Sequence, residues 1–187
     1  MTKVYIKIFV EGGGDGRNGK AAIRNGMNGF LKEVKEAVDR RNNIKWRLTA
    51  CGGRDEAYKR FMHEIERSPS DFVVLLVDSE GLVRRLPRLH LQERDHWSLQ
   101  GVSEDNIHLM IQMMETWIVS DVNTLVKFYG NNFRQAALPR AVNLENTQKR
   151  DIEKALANAT KDTTTGEYKK NQACQRIVGE AGSEGCW

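Results

Sequence analysis

Two apolar runs in this chain, Val4 to Val10 and Phe72 to Val77, each stop at an acid, Glu11 after the first and Asp78 after the second. Both are rich in β-branched and aromatic residues, the composition of buried strands, and only Lys7 interrupts them. Between them the period changes. Ala22, Ile23, Met27, Phe30, Leu31, Val34 and Val38 recur close to i, i+3, i+4 spacing and predict a helix after the glycine-rich stretch from Gly12 to Gly19. Ile44 to Ala50 predicts a second strand, Gly52-Gly53 a break, and Asp55 to Arg67 a helix burying Ala57, Phe61, Met62 and Ile65. A strand, helix, strand, helix, strand order predicts crossover connections and a parallel sheet.

After Asp78 the pattern is lost. The stretch from about 81 to 106 carries Pro87, Trp97 and a basic excess, Arg84, Arg85, Arg88 and Arg94 against Glu93 and Asp95, and reads as a surface insertion. Ile107 to Met113 predicts a fourth strand, and a helix from Glu115 presents Trp117, Ile118, Val122, Leu125, Val126 and Tyr129 before ending at Gly130. Two more helices are predicted, at Glu145 to Ala159 and Tyr168 to Val178. The expected organisation is one α/β domain over 1–130 and a helical C-terminal extension over 131–187 packed on the same domain.

Composition narrows the picture without identifying chemistry. With 187 residues, 40% hydrophobic and 29% charged, the chain can bury one substantial core. A formal charge of +4 is compatible with a polyanionic partner and does not demand one. Cys51, Cys174 and Cys186 have no metal-ligand or disulfide-framework spacing. The N-terminal segment lacks the apolar core of a signal peptide and no window approaches a membrane span, so a soluble cytoplasmic protein is expected. Self-association is left open.

The acids carry the chemistry. In open parallel sheets, ligands collect outside the carboxyl ends of the strands. Neighbouring strands lie ~5 Å apart, so Glu11, Asp78 and Glu80 can converge on one hard cation if their strands are adjacent. Residues two apart on an extended chain share a side, which would let Asp78 and Glu80 face that cation together. Mg2+ or Mn2+ held by carboxylates can polarise a phosphodiester and activate a water. Solvated acidic turns are the competing reading.

The glycine-rich loop supports several readings. Gly14-Asp15-Gly16-Arg17-Asn18-Gly19 spells a dinucleotide fingerprint, but the second strand ends at Ala50-Cys51 without the ribose-binding acid. Gly14 to Lys20 spells most of a P-loop, with Ala21 where a magnesium-binding hydroxyl belongs. A third reading uses the backbone amides with Arg17 or Lys20 to approach a phosphate while Glu11 holds the bridging metal. An ordinary strand-to-helix turn competes with all three.

Val10-Glu11-Gly12, Gly52-Gly53-Arg54, Leu76-Val77-Asp78-Ser79-Glu80, Met114-Glu115-Thr116-Trp117 with Asp121, and Tyr168-Lys169-Lys170 together resemble Toprim domains. These are the catalytic modules of topoisomerases, bacterial primases, overcoming-lysogenization-defect nucleases and small ribosomal-RNA maturation nucleases. More narrowly, the chain looks like the small stand-alone Toprim-like proteins encoded beside ATPases in bacterial defence loci. The resemblance implies a Rossmann-like, mostly parallel sheet with flanking helices, and a Mg2+- or Mn2+-dependent nuclease or phosphodiesterase. It implies Glu11, Asp78 and Glu80 as metal-holding catalytic acids, nucleic acid as substrate, anti-phage defence as setting and an ATPase as partner. Lys169 and Lys170 would place cations near the scissile phosphate, with Lys170 catalytic, while Lys20 and Arg54 are further phosphate-binding candidates and Glu115 an auxiliary ligand. Two departures stand out. Glu80 occupies the place of an aspartate, and the glycine run after Glu11 is longer than the family loop.

Two functions of other classes stay open: a non-catalytic partner protein binding an ATPase or nucleic acid, and a P-loop-like nucleotide-binding enzyme. The histidines show no ligand spacing; His63 and His108 read as core histidines and Trp117 as core.

Overall fold

The computed structural model describes residues 3–140 and 144–169. Among the described residues four strands form one sheet: β1 (Val4–Val10), β2 (Ile44–Ala50), β3 (Phe72–Asp78) and β4 (Ile107–Met110). Their order is β2-β1-β3-β4, and every pairing is parallel. The two acid-terminated strands are therefore central neighbours, with Val10 in register with Leu76.

Alternation along β1 and β3 divides the core into two layers. Ile8, Val10, Val74 and Leu76 face α1 (Arg17–Phe30), α5 (Met114–Ser120), α6 (Val122–Tyr129) and α7 (Lys149–Thr160), joining Ile23, Met27, Leu125, Ile152 and Leu156. Phe9, Val73, Leu75 and Val77 face the other way, against Ala57 and Phe61 of α3 (Arg54–Arg67). The result is an α/β fold with helices on both faces of the sheet and a helical C-terminal region. Phe61 is fully buried in the second layer. Phe61→Ala is expected to cost about 3–5 kcal/mol through the cavity it leaves, measured by urea unfolding.

Five expectations need correction. The predicted surface insertion is instead a wall of the second layer. It forms α4 (Pro87–Asp95), and Leu91, Trp97, Leu99 and Val102 are buried beside Phe61. The face of β3 presenting Val73, Leu75 and Val77 needs more cover than α3 supplies, and these residues supply it. The single helix expected through Val38 is two, α1 and α2 (Lys32–Asp39), turning at Leu31 after Gly26 and Gly29 weaken the helix. The helix expected from Glu115 to Tyr129 is also two, because Asp121 caps α6 by accepting from the Thr124 amide at 3.1 Å. His63 and His108 are both exposed, His108 on edge strand β4. Tyr168 and Lys169 are not helical, and the rest of the helix expected there lies outside the described residues.

Among the described residues no helix is long and apolar enough to cross a membrane.

Candidate metal centre

Backbone pairing carries the acidic ends of β1 and β3 together. The Glu11 amide donates to the Leu76 carbonyl at 3.0 Å, extending the ladder by one residue. Beyond β3 the Ser79 and Glu80 amides donate to the carbonyls of Met110 and Gln112, at 3.0 and 2.9 Å. Glu80 then adopts the left-handed conformation, φ +63°. Simple strand alternation past Val77 is thus not the whole geometry; a turn costing on the order of 1 kcal/mol contributes to it. One carboxylate oxygen each from Glu11, Asp78 and Glu80 lies within 4.8 Å of the others.

Glu11 and Asp78 border a cleft of about 600 Å³ whose lining also includes Met114, Glu115 and the glycines of two loops, with Glu80 outside that lining. The loops are tied by reciprocal bonds: each of Gly12 and Gly52 donates its amide to the other's carbonyl, at 2.8 and 2.9 Å. Gly52 has φ +87°, and a Cβ there would sit 2.5 Å from the Gly14 carbonyl oxygen. Only glycine allows the loops to approach so closely.

The acids differ in surroundings. Asp78 is 9% exposed, and its Oδ1 accepts from the Met114 amide at 2.9 Å. Burial, followed by the charges of Glu11, Glu115 and Glu80, pushes its pKa up to about 8, against the smaller opposing effect of that amide. Burial also raises Glu11, partly offset by Arg54 and by the Asp78 amide. For Glu80 burial is outweighed by Lys149, whose ammonium forms an ion pair with it, and the net shift is downward. Four carboxylates, counting Glu115, thus stand against Arg54 and Lys149. The donor set is all oxygen, suits a hard divalent cation, and would exchange the proton favoured on Asp78 for metal charge.

The structure brings some predicted residues together and not others. Glu115 is buried at 2% exposure and lines the cleft, outside the three-acid cluster. Its Oε1 accepts from the Tyr168 hydroxyl at 2.7 Å. Tyr168→Phe removes that donor from a buried carboxylate and is expected to cost about 1–3 kcal/mol in urea unfolding. Arg54 reaches the centre, where its Nη1 donates to Glu11 Oε2 at 3.1 Å and its other nitrogens bind Asp95. Lys20 packs beside Gly52 and does not line the cleft; Lys169 is exposed and does not line it either. Lys170 lies outside the described residues.

Sequence reasoning missed Lys149, Asp95 and the role of Trp97. Lys149 left no specific signal, because Asp151 in the same first turn of α7 already supplies an acid beside Lys149 and Arg150.

A family model described as a domain of unknown function, DUF4276, matches residues 10–185. No curated protein and no solved structure matches the chain.

Proposed function

We propose that this chain, which belongs to the DUF4276 family, is a Toprim-like protein that uses a divalent cation to hydrolyse phosphodiesters in nucleic acid. The observation that carries this reading is the convergence of Glu11, Asp78 and Glu80 oxygens within 4.8 Å at the carboxyl ends of two central parallel strands. Mg2+ or Mn2+ bound there would supply Lewis-acid polarisation of the phosphodiester and a more acidic water. The chain's own part is to fix the carboxylates, present glycine backbone at a phosphate, and balance charge. Gly12, Gly13, Gly14 and Gly16 line the cleft without side chains to obstruct a phosphate. Lys149, paired with Glu80, would be released when Glu80 binds the cation and is then a candidate to steady a phosphate. Lys20, Lys169 and Lys170 are further phosphate-steadying candidates. The resemblance to Toprim-like proteins of defence loci supports an anti-phage role with an ATPase partner.

One observation favours a second reading, a non-catalytic partner protein. Arg54 and Lys149 already neutralise Glu11 and Glu80, an arrangement that can persist without a cation. The P-loop reading gains no such support, because Lys20 stands outside the cleft lining.

Cleavage of single- and double-stranded DNA and RNA by the purified protein, with Mn2+ or Mg2+ and with chelator, separates the two. Metal-dependent cleavage lost in Asp78→Asn is expected. Absence of cleavage, also with the ATPase supplied, together with ATPase binding that survives loss of all three acids, would establish the partner reading instead.

A further inference from the structure

Arg54 is the first residue of α3, and Asp95 is the last of α4, in the segment that closes the second layer. The guanidinium and carboxylate meet in a two-pronged pair. Nε donates to Oδ1 at 2.9 Å and Nη2 to Oδ2 at 2.7 Å. Both side chains are largely buried, at 14% and 9% exposure. The guanidinium lies 5.0 Å from the Trp97 ring centroid, and Trp97 stacks in turn on Tyr58 at 4.5 Å. Arg94 also pairs with Asp95, through Oδ1. With Nε and Nη2 engaged, Arg54 turns only Nη1 toward the metal centre, to Glu11 Oε2 and the Asp78 carbonyl oxygen. The Asp78 amide donates to the same Glu11 oxygen at 3.3 Å.

We infer that Asp95 is a positioning residue for the metal centre: by holding two donors of Arg54, it restricts that arginine to one oxygen of Glu11 and leaves the other to a divalent cation. The inference rests on the metal-centre reading above. A guanidinium is a rigid fork that matches a carboxylate with two parallel hydrogen bonds. Without its partner, a largely buried Arg54 would turn that fork onto Glu11. It would then compete with the cation for both oxygens, and its charge would no longer be balanced by Asp95. Trp97 supports the same pose by packing against the guanidinium face. The segment that the sequence pattern marks as an insertion thereby contributes to the centre, although it supplies no ligand.

The test is a double-mutant cycle read by Mn2+ affinity in titration calorimetry, using wild type, Asp95→Asn, Arg54→Gln and the double variant. Asp95→Asn is expected to weaken Mn2+ binding by about tenfold or more in the wild-type background, the scale of effects from groups behind metal ligands. In the Arg54→Gln background the same change should alter affinity by less than about twofold, because Asp95 acts only through Arg54. A merely structural Asp95 would give equal losses in both backgrounds, or none, and either result overturns the inference. Melting with chelator checks folding. If the asparagine variant does not fold, Asp95→Glu, which keeps the charge and moves it by one methylene, is taken through the same cycle with the same criterion. Wild type that binds no Mn2+ would sink the metal-centre reading and this inference with it; wild type that binds Mn2+ regardless of Asp95 would sink this inference alone.

Discussion

Asp78→Asn is expected to weaken Mn2+ binding by at least ~100-fold and, at about pH 8 in chelator, to make the metal-free protein more stable than wild type. The two effects have one cause. Asp78 is held above its ordinary value because burial and three neighbouring carboxylates oppose its negative charge. A carboxyl whose folded pKa lies above its unfolded value binds its proton more tightly in the folded state. Its contribution to folding is therefore most favourable below the unfolded pKa near 3.8 and is lost as pH rises toward about 8. Asparagine keeps the shape and removes the charge, eliminating that penalty at the top of the window. It also removes one of the three carboxylates proposed to hold the cation. Urea unfolding against pH with chelator reads the first effect, and calorimetric titration with Mn2+ the second. A purely structural Asp78 would instead lose stability on substitution at every pH.

Mn2+ affinity of the wild-type protein should rise about tenfold per pH unit from about pH 6 to about pH 8 and flatten above, close to 100-fold in all. Below its raised pKa, Asp78 must release a proton for each cation bound, so proton and metal compete for one site. Glu80, lowered by Lys149, stays ionised throughout and adds nothing to the slope. Calorimetry in buffers of different ionisation enthalpy counts the released protons directly. An affinity that does not change with pH would mean that the cation binds away from Asp78.

The parallel sheet was legible because β1 and β3 combine strand composition with abrupt acidic ends and the elements alternate. The convergence of Glu11 with Asp78 and Glu80 was legible only on the condition that their strands are neighbours, which element order does not decide and the sheet order β2-β1-β3-β4 supplies. What escaped notice depends on contacts between distant positions. Nothing local distinguishes Trp97 in a charged, aperiodic stretch from an exposed loop residue; its burial comes from the unmet need to cover Leu75 and Val77. Helix periodicity ran unbroken through Leu31 and Asp121 because hydrophobic spacing does not register a turn that preserves the buried face. The left-handed Glu80 was hidden as well, since glutamate carries no propensity for that conformation. Lys149 reaches Glu80 from 69 positions away, beyond any pattern window.

The proposed function stands or falls on whether Glu11, Asp78 and Glu80 hold one divalent cation. A crystal structure of the protein grown with Mn2+, with anomalous diffraction at the manganese edge, tests it most directly. The account predicts an anomalous peak at ~2.1–2.2 Å from oxygens of all three side chains, with Lys149 displaced from Glu80. A map with no peak among them, and with Arg54 and Lys149 still seated on Glu11 and Glu80 at saturating Mn2+, would contradict it.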